Sequence, residues 1–229
     1  MIAVVAQARM TSERLPGKVL RDLGGKKTTL EYVVDRITRV ERSDLAVVAT
    51  SVDPSDDPVE ELCAKIGVAC HRGPLADVAA RYIEVADRFA LDAFVRVTAD
   101  SPLLDQSLVD RGIELFAEGG SEVVTNVFPS TFASGHSLEV VDASAYRGAY
   151  ANFSEPAHFE HVTAFLYLNA DRFRIRNFVH DGADDGEIDV SLDTEDDARL
   201  ISAIIERMDR PHWEYDYEDV MELYRQVSS

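Results

Sequence analysis

"IAVVAQARMTSERLPGKVL", residues 2–20, decides how the rest of the chain is read. Residues 2–7 are almost wholly apolar with no polar alternation, the mark of a strand buried on both faces. A loop follows that carries Arg9, Arg14 and Lys18, five and four residues apart, with one anion, Glu13, among them. Pro16 fixes the approach of the chain and Gly17 permits a tight turn. Mobile cations around a bending backbone suit a polyphosphate, which needs several donors at once. A solvated basic loop is the plainer reading on local composition alone. The loop does not match GxxxxGK[ST], and the sequence has no GxGxxG, so neither a Walker A site nor a nicotinamide dinucleotide site has its fingerprint.

Outward from this stretch, strand and helix alternate. Residues 29–42 repeat apolar side chains at helical spacing, and 45–51 is a continuous β-rich run. Helical patterns over 56–67, 76–90 and 106–120 are separated by strands at 68–71, 94–99 and 122–125. Such alternation with short connections predicts an α/β protein, a mostly parallel sheet with helices on both faces. After residue 126 the rhythm changes. The spacing predicts a strand over 137–142, one helix over 156–169, strands over 173–178 and 188–192 that run antiparallel to the rest, a helix over 194–208 and another over 216–226. Thr194 is the expected N-cap, with Asp197 at the capping-box position.

The chain has 229 residues, 42 acidic side chains against 23 Lys and Arg, and a formal net charge of −19. That charge excludes a broad nucleic-acid surface, since phosphate tracking needs an extended basic patch. No segment is long and apolar enough to span a membrane, and a cytoplasmic protein is expected. The length suits one domain over residues 1–229, with 127–190 on its substrate side. Cys63 and Cys70 fit neither a CxxC pair nor a zinc site and read as small hydrophobes.

Ligands of a parallel sheet sit at the C-terminal ends of its strands. The loop after residues 2–7, Asp100 after 94–99 and Asn126 after 122–125 fall on one such rim. Asp100 beside a phosphate loop is a natural Mg²⁺ ligand, because Mg²⁺ takes one or two carboxylates together with phosphate oxygens. Asp193 is a candidate second carboxylate, although an acid near a helix start is favoured by the dipole anyway. A calcium loop over 181–192 is rejected on Ala183 and Leu192, which stand where ligands are required. His136, and the adjacent Glu160 and His161, are candidates for contact with a second substrate. Together these features imply phosphoryl-type chemistry by positioning and charge neutralisation, with no covalent nucleophile.

The stretch "VVAQARMTSERLPGKVLRDLGGK" resembles the signature of the cytidylyltransferase family that contains SpsF, to which acylneuraminate and KDO cytidylyltransferases are related. The similarity continues through "VVATSVDPSDDPVEELCAKIGV", "RGPLADVAARY", "VRVTADSPLLD", "SLEVV", "EHVTAFLY" and "LDTEDD", nearly the whole chain in order. It implies a Rossmann-like, three-layer nucleotide-diphospho-sugar transferase fold with a mixed, mostly parallel sheet. It implies a reaction of CTP with an acidic or related sugar, or another small acceptor, giving a CMP-sugar and pyrophosphate with Mg²⁺. By resemblance, Arg9, Arg14 and Lys18 hold the triphosphate. The backbone at Ala6 and Ala8 faces the cytosine, with Arg72, Asp77 and Arg81 nearby. Asp100 and Asp193 ligate the metal, and Asn126, His136, Glu139, Glu160 and His161 line the acceptor pocket. Related enzymes are commonly dimers, so a homodimer is expected. Thr11 and Glu13 stand where relatives carry Gly and Thr, and Glu13 sets a negative charge beside the phosphates.

Overall fold

The structure, a computed structural model, describes residues 1–182 and 184–228. The central run of the chain is β1 (Ile2–Gln7), a small ribbon of β2 (Asp22–Leu23) and β3 (Lys27–Thr28), then α1 (Thr29–Ile37), β4 (Leu45–Ser51), α2 (Asp57–Ile66) and β5 (Ala69–Gly73). It continues with α3 (Val78–Arg88), β6 (Ala93–Thr98), α4 (Gln106–Ala117), β7 (Val123–Thr125) and β8 (Glu139–Asp142). Then follow α5 (Ala143–Tyr150), α6 (Pro156–Glu160), α7 (Ala164–Leu168), β9 (Ile175–Asn177), α8 (Glu195–Glu206) and α9 (Tyr217–Val227).

The described residues build a seven-stranded sheet in the order β5-β4-β1-β6-β8-β7-β9. β8 alone runs against the others, pairing antiparallel with both β6 and β7. Alternate side chains of β1 enter opposite layers, as a strand's period of two requires. Val4 and Ala6 pack with Tyr32, Val33 and Ile37 of α1, Val109 and Ile113 of α4, and α8 and α9. Ala3 and Val5 pack with Val78, Tyr82 and Val85 of α3, together with α5 and α7. Polar caps set the helix starts: Thr28 and Glu31 form a capping box on α1, and Thr194 and Asp197 form the expected one on α8.

Arg36 of α1 is fully buried and reaches the far end of the sequence. Its guanidinium donates to the carbonyls of His212 at 2.5 Å and Tyr215 at 3.0 Å and to Gln106 Oε1 at 3.1 Å.

Three expectations change. β9 pairs parallel with β7, so residues 173–178 do not contribute an antiparallel strand. Residues 188–192 form no strand, only an isolated bridge between Ser134 and Asp189. There the Asp189 carboxylate accepts from the backbone and hydroxyl of Ser191, and the Leu192 N–H donates to Asp100 O instead of to a ladder. Gly135, at φ +95°, lets the chain press against Val190, where an added Cβ would lie 3.0 Å from its backbone. The helix expected over 156–169 is two, broken at His161. Tertiary bonds account for the break: Tyr146 Oη donates to Val162 O and Thr163 Oγ1 donates to Glu139, pulling the intervening turn toward the sheet. Cys63 and Cys70 are free thiols, and Cys70 is only half-buried. Ala183, on which part of the calcium-loop rejection rested, lies outside the described residues.

Candidate active site

The loop after β1 is shaped by main-chain bonds and one buried carboxylate. Ala8 N–H donates to Ala49 O, and Gly17 N–H donates to Met10 O, both at 2.9 Å. Gly17 sits at φ +74°, a left-handed conformation that costs an L side chain energy. Asp56 has no exposed surface and accepts from Met10 N–H at 2.7 Å and from Ser51 N–H at 3.1 Å. The sequence suggests for Asp56 only a helix-start acid. It is the pin that ties the loop after β1 to β4.

The three loop cations face carboxylates across a cleft of about 440 Å³. Lys18 Nζ lies 2.6 Å from Asp100 Oδ2 and 2.8 Å from Asp193 Oδ1. Arg14 reaches Asp193 Oδ2 at 2.7 Å, and Arg9 reaches Glu160 Oε1 at 3.0 Å. The Lys18 side chain is only 11% exposed. Burial opposes its charge, but the fields of Asp100 and Asp193 outweigh that and raise its pKa above the ordinary lysine value. As it stands, the site is self-neutralised: each cation already has an anion. Any polyphosphate bound here would have to take the cations over, which would leave Asp100 and Asp193 in need of a new positive partner.

That need is the test for Mg²⁺. The two carboxylates converge on one ammonium at 2.6 and 2.8 Å, so a single small cation can meet both. Among the described residues no three His, Cys, Asp or Glu side chains gather as a complete cage. Two carboxylates with the rest of the shell from phosphate and water is the usual Mg²⁺ arrangement, so the residues fit the ion.

Gln7, Arg9, Glu160 and His161 line both this cleft and a neighbouring cavity of about 100 Å³, whose remaining walls are Ala8, Val78 and Arg81. Thr11, Asp77 and Glu160 border a further open cavity of about 580 Å³ with Phe159 and Leu75. Asp77 also caps α3 and accepts from Tyr150 Oη at 2.7 Å. Arg81 is buried with its guanidinium donating to the carbonyls of Pro74 and Leu75, so it shapes the loop before α3. Glu13 is exposed at the cleft wall with no ion-pair partner among the described residues.

Other expected site residues do not reach the cleft. Ala6 is wholly buried with its backbone paired to β4 and β6, so only Ala8 can face a base. Arg72 spends its donors on Ser51 O, Asp53 O, Asp57 and Glu60. Asn126 is buried, donating to His136 O and accepting from Leu138 N–H, both at 2.9 Å, and so staples its own loop. His136 is also fully buried and accepts from Asp105 N–H at 3.2 Å. Burial, with some help from the charge of Arg36, pushes its pKa down to about 3. Glu139 lies beneath the site, paired with Arg96 at 2.9 Å.

Residues 3–203 match the sequence model of a family described as cytidylyltransferase. The chain is 31% identical over 180 residues to the spore coat polysaccharide biosynthesis protein SpsF of Bacillus subtilis, spanning 76% of this chain and 73% of that one. Its fold is similar to a cytidylyltransferase from Leptospira borgpetersenii, with TM-score 0.94, 28% identity, and coverage of 99% of this chain and 94% of that one. It also shares its fold with a CMP:2-keto-3-deoxy-manno-octonic acid synthetase complexed with CTP, with TM-score 0.69, 18% identity, and coverage of 90% and 98%.

Proposed function

The chain belongs to the cytidylyltransferase family, and on that premise we propose that it transfers CMP from CTP to a sugar acceptor, releasing pyrophosphate, in the making of a surface polysaccharide or glycoconjugate. The observation that carries the reading is the meeting of Arg14, Lys18, Asp100 and Asp193 at one end of a cleft of about 440 Å³. A volume in that range suits a nucleotide-sized ligand. The β- and γ-phosphates go to Arg14 and Lys18, and the nucleoside points toward Ala8, Val78 and Arg81. Asp100 and Asp193 would hold Mg²⁺, which supplies neutralisation of phosphate charge when bound. The acceptor oxygen attacks the α-phosphorus in line. One O–P bond forms, the bond from the α-phosphorus to the bridging oxygen breaks, and pyrophosphate departs on the side of Lys18. The hydroxyl proton leaves to water or to His161, whose ring lines both cavities. Residues 127–190 supply the acceptor side through Glu160 and His161.

A relative named for spore coat polysaccharide biosynthesis and a fold neighbour bound to CTP support the choice of nucleotide and of a saccharide acceptor. The test is a pyrophosphate-release screen crossing each common nucleoside triphosphate with ulosonic acids, neutral sugars and small phosphorylated acceptors, with and without Mg²⁺. Release is expected with CTP, one acceptor class and Mg²⁺. CTP binding without release from any acceptor would instead mark a non-catalytic nucleotide binder.

A further inference from the structure

We propose that Gln7 donates a hydrogen bond to the α-phosphoryl group of the bound nucleotide, and that the half-buried Arg96, paired with the buried Glu139, holds it in that orientation; this rests on the nucleotide reading above. Gln7 ends β1 and is half-buried, and it lines both the main cleft and the small cavity beside it. Its Oε1 accepts from Arg96 Nε at 3.2 Å and lies 3.3 Å from Tyr82 Oη. A guanidinium can only donate, so Arg96 settles which end of the carboxamide is oxygen. The opposite end, Nε2 with its two hydrogens, has no acceptor among the described residues.

Arg96 is in turn fixed from below. Its Nη1 lies 2.9 Å from Glu139 Oε2, and Glu139 is only 3% exposed. Glu139 Oε1 also accepts from Thr163 Oγ1 at 2.9 Å and Tyr167 Oη at 3.3 Å, which holds the start of α7 just after the break at His161. A buried ion pair adds little stability over an apolar packing of the same volume. What this one does is hold a neutral amide with its donor end outward.

The place of that donor follows from the cavities. The cation and carboxylate end of the cleft takes the β- and γ-phosphates, and the small cavity takes the nucleoside. A nucleotide spanning both lays its α-phosphoryl group along their shared wall, where Gln7 stands. An N–H already aimed at oxygens that gain charge during transfer needs no reorganisation when the bond breaks. Gln7 is therefore an orienting donor on the reacting group, while Arg96, Glu139 and Tyr82 are positioning residues.

Gln7→Glu is the informative variant, because it keeps an oxygen for Arg96 and Tyr82 and removes the donor. Phosphorus NMR of CTP with Mg²⁺, titrated with each protein, reads the three phosphates separately without any acceptor. The wild-type chain is expected to shift the α signal. Gln7→Glu and Gln7→Met should lose that shift, keep the β and γ shifts and bind CTP roughly 10-fold or more weakly, and Gln7→Glu, which keeps the acceptor, should retain the wild-type melting midpoint. Tyr82→Phe and Glu139→Gln, which touch no nucleotide, should weaken the α shift in part. An unchanged α signal and affinity in both Gln7 variants would overturn the proposal while CTP binding stood. So would a loss that melting explains, or one that disappears with 2′-deoxy-CTP and so belongs to the ribose. Failure of the wild-type chain to bind CTP would overturn the nucleotide reading and this proposal together.

Discussion

Asp193→Asn is expected to change CTP affinity in opposite directions with and without Mg²⁺. Asp193 is 22% exposed and holds two cations, Lys18 at 2.8 Å and Arg14 at 2.7 Å. In metal-free buffer its charge competes with the triphosphate for both. A full charge about 4 Å from a phosphate costs up to roughly 4 kcal/mol at an effective dielectric of 20. Rearrangement of the exposed Arg14 and salt screening reduce this to about 1 kcal/mol, or roughly 5-fold tighter binding of free CTP. With Mg²⁺ present the same substitution removes one of the two carboxylates available to the ion, and binding should weaken about 10-fold or more. The fold loses about 1 kcal/mol, since Lys18 keeps Asp100, which lowers the melting midpoint by about 2–4 °C in a chain of this size. Isothermal titration of CTP in chelator and in Mg²⁺ gives both affinities. Equal weakening in the two buffers would refute the reasoning, because it would mean that Asp193 neither competes with the phosphates nor meets the metal.

Three further outcomes are expected. Asp56→Ala strands the half-buried Met10 N–H and the buried Ser51 donors and should cost about 3 kcal/mol, with CTP binding lost in calorimetry even where the variant is folded by circular dichroism. Glu13→Gln removes an unpaired anion from the cleft wall and should tighten CTP binding by about 2-fold at low salt, an effect that fades in high salt. His136 and His212 have folded pKa values lowered by burial to about 3 and about 4, below the unfolded 6.5. The unfolded chain therefore takes up protons first as the pH falls, and stability should drop below about pH 6.5 by on the order of 1 kcal/mol per pH unit for each histidine. His136→Asn, which can still accept from Asp105 N–H, should flatten that slope in urea melts between pH 7 and pH 5.

The parallel core was legible because β1 and β4 are nearly continuous apolar runs, and β6 is one apart from Arg96, all set between helical repeats. Asp100 and the loop cations stand out in the sequence because they follow strand ends, and Asp193 because it stands just before the Thr194 helix cap; the structure joins Lys18 to both aspartates. The break at His161 left no trace, since the apolar spacing of 156–169 continues straight through it; only Tyr146 and Glu139, distant in sequence, reveal it. Asn126, His136 and Arg72 carry functional chemistry by residue type. Whether such a side chain turns to a cleft or to its own loop depends on partners that spacing does not encode. Asp56 and Gln7 were missed for the opposite reason, as each has an ordinary local explanation.

The clasp of Arg36 on residues 212 and 215 bears on the order in which the protein can be made. The partners are 176 and 179 positions apart. A growing chain has completed the loop after β1, α1 and most of the sheet while this guanidinium still lacks its carbonyls, and α1 has a bare flank where His212 and Tyr215 will sit. The final packing of α1, which the β2–β3 ribbon joins to the loop of Arg9, Arg14 and Lys18, waits for a segment made 176 to 179 positions later. Contacts of such long sequence separation fold slowly and expose apolar surface meanwhile. In a synthesis time course, CTP binding should therefore be absent until residues 212–215 have emerged, rather than growing with the N-terminal half.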